Sequence, residues 1–144
     1  MASLEGTIEE QRKVMDTGAA LRDAHLQDLD SLENKVEVAH HKLDVAGGQI
    51  DIRRYWRKGT SAGVPGAVFY HGGGWIMGSL PADDIFCRMI ARDLGHVVLS
   101  VDYRLAPEHP YPTPVNDAYE AFVWVRRCCP HCRRQVLNSC PGCE

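Results

Sequence analysis

The run His71-Gly72-Gly73-Gly74-Trp75 is the part of the chain best suited to chemistry. Three successive glycines carry no Cβ, so their backbone N–H groups can come close to a bound group. Two such N–H groups aimed at one point stabilise an oxygen that gains negative charge, which is what acyl transfer requires. A plain glycine turn would use the same residues, so the flanking elements must decide. Two other patterns carry possible chemistry. Gly59-Thr60-Ser61-Ala62-Gly63 satisfies the string G-x-S-x-G, and Cys129-Pro130-His131-Cys132 with Cys140-Pro141-Gly142-Cys143 forms two C-x-x-C pairs.

The elements around the glycine run favour the first reading. Ala67 to Tyr70 is short and wholly apolar, the pattern of a strand covered on both faces. After the glycines, Ile85, Phe86, Met89, Ile90 and Leu94 recur at helical spacing, with Asp83 and Asp84 at the start and Gly95 positioned to end the helix. Val97 to Val101 reads as another buried strand. The stretch LAPEHPYPTP (105–114) holds four prolines and must be a loop. Thr113 and Pro114 then open a helix whose expected apolar face is Val115, Ala118, Tyr119, Phe122 and Val123. Strand, helix, strand, helix from 67 to 125 implies a parallel sheet with covering helices.

Upstream, Thr7 with Glu10 fits a capping box for a helix over 7–17 that Gly18 could end, and residues 19–33 suggest a second helix. Lys35 to Val45 and Ile50 to Tyr55 flank Gly47-Gly48 and read as a hairpin. The G-x-S-x-G string lacks its required setting. A nucleophile elbow needs a strand before it and a helix after it. Here Pro65, Gly66 and a strand follow, so Ser61 is expected to be a turn residue.

Composition divides the chain near residue 126. The first 125 residues hold one cysteine, Cys87, and carry a charge of −6. The last 19 hold five cysteines and carry +3, which together give the net −3 of the 144-residue chain. With 44% hydrophobic and 24% charged residues, the chain is neither a disordered polymer nor a coiled coil. It has no apolar run long enough to span a membrane, no secretory signal and no overall basic footprint for nucleic acid. A cytoplasmic location is therefore expected.

YHGGGWIMGS (70–79) together with VVLSVDYRLAPEHPYPTPVNDAYEAFVWV (97–125) closely resembles the hormone-sensitive-lipase-like group of α/β-hydrolases. The likeness runs from about Val36 to Val125. It implies a serine-esterase mechanism on small or medium hydrophobic esters, lactones or acetylated metabolites, including tailoring steps of secondary metabolism, and no cofactor. On the matching positions, Gly73 and Gly74 would supply the amides of the oxyanion hole. His71 and Gly72 would shape the loop. Asp102, Tyr103, Arg104, Pro107 and Glu108 would form a structural turn, with His109 on the same turn. Trp75 is equally placed to line an acyl pocket or to pack the loop.

The resemblance also sets out what else a working site needs. A GDSAGG-type elbow should follow Val125, and the acid and general-base histidine should come later; none of the three is in the sequence. The expected organisation is a helical cap-like segment over 1–33, a partial α/β-hydrolase domain over 34–125 ending before the nucleophile strand, and a disordered Cys/Arg-rich tail over 126–144. Such a chain is expected to be inactive alone. The alternative is a non-catalytic binding or interaction module, with Cys129, Cys132, Cys140 and Cys143 holding Zn²⁺ tetrahedrally. The spacing of seven residues between the pairs is short for a zinc ribbon.

Overall fold

A computed structural model describes residues 6–24, 29–61 and 63–128. Two helices, α1 (Ile8–Ala24) and α2 (Leu29–Lys35), precede β1 (Val36–Val45) and β2 (Gly48–Arg57). Then come β3 (Gly66–Tyr70), a 3-10 turn at Pro81–Asp83, α3 (Asp84–Leu94), β4 (Val97–Asp102) and α4 (Thr113–Cys128). The helix start at Thr7 is the reciprocal capping box: Thr7 N–H donates to Glu10 Oε2 at 2.7 Å, and Glu10 N–H donates to Thr7 Oγ1 at 3.3 Å. Gly18 does not end that helix. One interior glycine costs about 1 kcal/mol relative to alanine, which a helix of 17 residues tolerates.

The strands form one sheet in the order β1-β2-β4-β3. The hairpin β1–β2 is antiparallel with Val45 opposite Gly48, β2–β4 is antiparallel, and β3–β4 is parallel. The sheet is thus α/β as expected, but mixed: a single parallel pair joins a hairpin entry, because a tight turn at Ala46-Gly47 can only return the chain antiparallel. Gly47 takes φ +76°, where a side chain would be strained.

β4 is buried from Val97 to Val101, and its two faces feed two cores. Val97, Leu99 and Val101 join Ile50, Ile52 and Ala121 of α4. Val98 joins Tyr55, Cys87 and Ala91, the last two from α3. One helix therefore covers each face. β3 is only half-buried, contrary to its reading as a strand covered on both faces. It lies at the sheet edge, with β4 as its one neighbour among the described residues.

The buried faces of α3 and α4 also differ from the expected stripes. Small Cys87 and Ala91 seat α3 on the sheet, while Phe86, Met89 and Leu94 stay exposed. On α4 the buried positions are Pro114, Asp117 and Ala121, while Val115, Tyr119 and Phe122 stay exposed. Small residues let a helix axis come close, and Asp117 can be buried because Arg104 neutralises it. Arg104 Nη2 lies 2.7 Å from Asp117 Oδ1, and Nε donates to Oδ2 at 2.8 Å. The same guanidinium donates to the carbonyls of Ala46 and Gly47, tying the hairpin turn to α4.

Candidate active site

The glycine run leaves the C-terminal end of β3, beside the end of its parallel partner β4. Ligand sites of open α/β sheets lie outside these strand ends. Three successive residues have left-handed backbone angles: Gly73 at φ +125°, Gly74 at +62° and Trp75 at +67°. Gly73 cannot be replaced without a shift, since a Cβ there would sit 2.1 Å from the Met77 carbonyl oxygen. That closeness reflects the turn itself, in which the N–H groups of Ile76 and Met77 both donate to Gly73 O, at 3.2 and 3.0 Å. Gly78 is equally constrained, its Cβ position lying 2.0 Å from His71 Nδ1. Gly72 and Gly74 face open space instead. The N–H groups of Gly73 and Gly74 donate to no acceptor among the described residues. The loop therefore presents two unpartnered backbone donors on a bare, Cβ-free surface.

His71 is buried at the root of this loop and its ring stacks on Tyr103, centroids 4.2 Å apart at 16°. Its Nδ1 lies 3.0 Å from the Gly72 carbonyl, which requires the proton on Nδ1. Tyr103 donates its hydroxyl proton to the His71 carbonyl at 2.5 Å, and its oxygen is 3.1 Å from the same Nδ1. His71 Nε2 is buried without a hydrogen-bond partner among the described residues, 3.9 Å from Asp102 Oδ1. Burial pushes the Asp102 carboxyl above its ordinary range, and the nearby His71 offsets this only in part. Trp75 meets Tyr103 edge-on at 5.1 Å and is 44% exposed, with Ile76 similarly open beside it. Both of its expected roles, packing and lining, are thus physically available to it.

The Leu105–Pro112 turn backs the loop: Ala106 N–H donates to the Trp75 carbonyl at 2.9 Å. Sequence reasoning missed a third contributor, α1. Arg12 Nε donates to the Ile76 carbonyl at 2.8 Å, Nη2 to the Ala106 carbonyl at 2.8 Å, and Nη1 to Glu108 Oε1 at 2.9 Å. Asp16 accepts from Ser79 Oγ at 2.8 Å. These partners are 63 to 96 residues apart in sequence, so no local spacing announces them.

The remaining candidates fall away from the loop. Ser61 is exposed in the turn between β2 and β3, with a strand after it rather than a helix. His109 is exposed on the proline-rich turn, its N–H donating to the Leu105 carbonyl. No serine or cysteine hydrogen-bonds a histidine among the described residues. Cys129, Cys132, Cys140 and Cys143 lie outside the described residues. Among the described residues no cluster of three or more His, Cys, Asp or Glu could hold a metal, and no helix is long and apolar enough to cross a membrane.

Comparison with known proteins bears on this arrangement. A family model described as alpha/beta hydrolase fold matches residues 67–136, which reaches past Val125 into the cysteine-rich segment. Carboxylic ester hydrolase LipN of Mycobacterium tuberculosis is 51% identical over 89 residues, covering 62% of this chain and 23% of LipN. Esterase LipI of the same organism is 38% identical over 118 residues, covering 79% of this chain and 37% of LipI. Among solved structures, the carboxylesterase EstE1 from a metagenomic library superimposes with a TM-score of 0.76 at 38% identity, covering 87% of this chain and 40% of EstE1. The chain thus spans less than half the length of the proteins it resembles.

Proposed function

Because this chain belongs to the alpha/beta hydrolase fold family of esterases, we propose that it supplies the oxyanion-binding side of a carboxylic ester hydrolase site. The observation that carries this is the pair of unpartnered N–H groups at Gly73 and Gly74, on a loop whose shape is fixed from three sides. When a nucleophile attacks an ester carbonyl carbon, the C=O π electrons move onto oxygen. The Gly73 and Gly74 amides would then donate to that oxygen, and would do so more strongly to the tetrahedral oxyanion than to the ground-state carbonyl. Removing one such donor typically costs about 10²–10³ in kcat.

The described residues go no further through the reaction. The described residues hold no serine–histidine pair, so nothing beside the loop can generate an alkoxide and return the proton to the leaving alcohol. On this reading the chain alone is expected to be inactive, its nucleophile, base and acid being supplied by sequence of the GDSAGG-bearing kind. Trp75 and Ile76, exposed beside the donors, favour a small or medium apolar acyl group. The versiconal hemiacetal acetate esterases of Dothistroma septosporum and Aspergillus parasiticus, 40% and 39% identical, support an acetylated metabolite as one substrate class.

A chimera tests this reading. Residues 1–128 of this chain would replace the matching part of LipI, and p-nitrophenyl acetate hydrolysis would be measured. A folded, active chimera beside an inactive isolated chain is the expected result. A folded chimera without activity, or an isolated chain that turns over at enzyme rates and loses this on Ser61→Ala, overturns it.

A further inference from the structure

We propose that Arg12 is a positioning residue that latches the glycine loop, so that the Gly73–Gly74 donor pair keeps its shape only while α1 is docked. The functional sense of the latch rests on the reading of this loop as an oxyanion binder; its geometry does not.

Three successive left-handed residues are unfavourable for a chain of L-residues, and Trp75 at φ +67° has no glycine freedom to excuse it. Such a turn persists only when its surroundings over-determine it. Inside the loop the restraint is the pair of bonds to Gly73 O, which hold the N–H groups of Ile76 and Met77 but neither the Trp75 nor the Ile76 carbonyl. Two hydrogen bonds from outside the loop hold these carbonyls. Ala106 N–H holds the Trp75 carbonyl, and Arg12 holds the next carbonyl, that of Ile76. Arg12 also grips the Ala106 carbonyl and both oxygens of Glu108, at 2.9 and 3.0 Å, so it ties the loop to the very turn that supplies the other restraint. A single planar guanidinium fills all these acceptors with a fixed fork, which a lysine ammonium cannot do. The side chain is largely shielded from solvent, and the Arg12 hydrogen bonds hold the Glu108 carboxyl below its ordinary range. The bond from Ser79 to Asp16, one helical turn further along α1, carries the same docking to the far end of the loop.

Amide hydrogen exchange on the full 144-residue chain tests the latch without any ester. In Arg12→Ala, exchange at the amides of Ile76, Met77 and Ala106 should quicken about tenfold or more, the effect of losing a charge-assisted hydrogen bond, while Val98 to Val101 of β4 is unchanged. Arg12→Lys should recover only part of the protection. Added guanidinium chloride at low millimolar concentration should restore Arg12→Ala in a saturable way, and tetramethylammonium, with no N–H donors, should not. Unchanged loop exchange in Arg12→Ala overturns the proposal. So does a rise of equal size across β4, or full recovery by lysine. If the latch fails, the chimera assay above is unaffected; if the chimera is inactive, the exchange pattern still reads the latch.

Discussion

In the loop after β3, nearly every turn of backbone has a named partner: Gly73 O takes two N–H groups, Trp75 O takes Ala106, Ile76 O takes Arg12, and His71 is enclosed by Tyr103. The outer rim of the same sheet is the reverse. β3 has no second neighbour among the described residues, Phe86 is 51% exposed against Phe69, and Tyr119 and Phe122 of α4 stand in the open. Isolated exposed apolar residues are ordinary, but here they stand on both helices and beside an edge strand with one neighbour among the described residues, an apolar frame in three parts. The difference teaches that the donor loop draws its rigidity from α1, β4 and the proline-rich turn, all present here. The edge of the sheet at β3 is where apolar side chains stand uncovered among the described residues. This chain spans 40% of EstE1, which supplies far more polypeptide to cover such a frame.

The largest way to break that contrast lies on the well-held side. Asp117 is 1% exposed and takes three donors from Arg104. Asp117→Ala leaves a guanidinium without its counter-charge and should cost about 3–5 kcal/mol in urea denaturation. A loss under about 1 kcal/mol would mean that the hairpin, turn and α4 are not braced through this pair.

Within the loop, glycines of different origin should separate. Gly78→Ala puts a Cβ 2.0 Å from His71 Nδ1 at φ +109°, and should cost about 3 kcal/mol from strain and overpacking. Gly72→Ala meets nothing within 4 Å and should stay within about 0.5 kcal/mol. Equal losses by thermal unfolding would refute the view that the loop is packed on one side and open on the other.

The apolar frame predicts the opposite balance of effects. Changing Phe86, Tyr119 and Phe122 together to serine should alter stability by no more than about 1 kcal/mol, since all three are exposed. It should sharply reduce self-association in sedimentation velocity. A stability loss above about 2 kcal/mol, or unchanged association, would show that these faces are covered within the chain.

Much of this was legible in sequence, for reasons that can be named. The capping box at Thr7 and Glu10, the Gly47 turn and the αL end of α3 at Gly95 are local chemistry, written within a few residues. The glycine run was legible because absence of Cβ is itself a signal. Periodicity failed on α3 and α4: it marks where apolar residues cluster, whereas burial went to Cys87 and Ala91, and to Asp117 and Ala121, which permit close approach. Arg12 was not legible at all, because an arginine on an amphipathic helix looks like any solvated charge until a loop 64 residues away in sequence is folded against it.

The smallest expected effects concern two carboxylates that respond to pH with opposite sign. Burial alone would raise Asp84, but hydrogen bonds from Arg88, Tyr55 and Arg53 outweigh it and hold the group below the usual range. Its folded value is depressed, so its contribution to stability is present above the unfolded value, about 3.9, and disappears as the pH falls through the folded one. Asp102 is raised by burial, so its contribution is present below the unfolded value and is lost as the pH rises through the folded one. Asp84→Asn should therefore destabilise at pH 7 and flatten the acid limb of the stability curve. Asp102→Asn should stabilise slightly at pH 7, with the gain vanishing below about pH 4. Because Asp102 is partly exposed beside His71, its effect should be the weaker of the two, and salt should diminish it further. If Asp102→Asn instead destabilised at pH 7, the ionised carboxylate would be bracing His71 at the root of the loop, and the brace on that side would extend one residue further than its hydrogen bonds show.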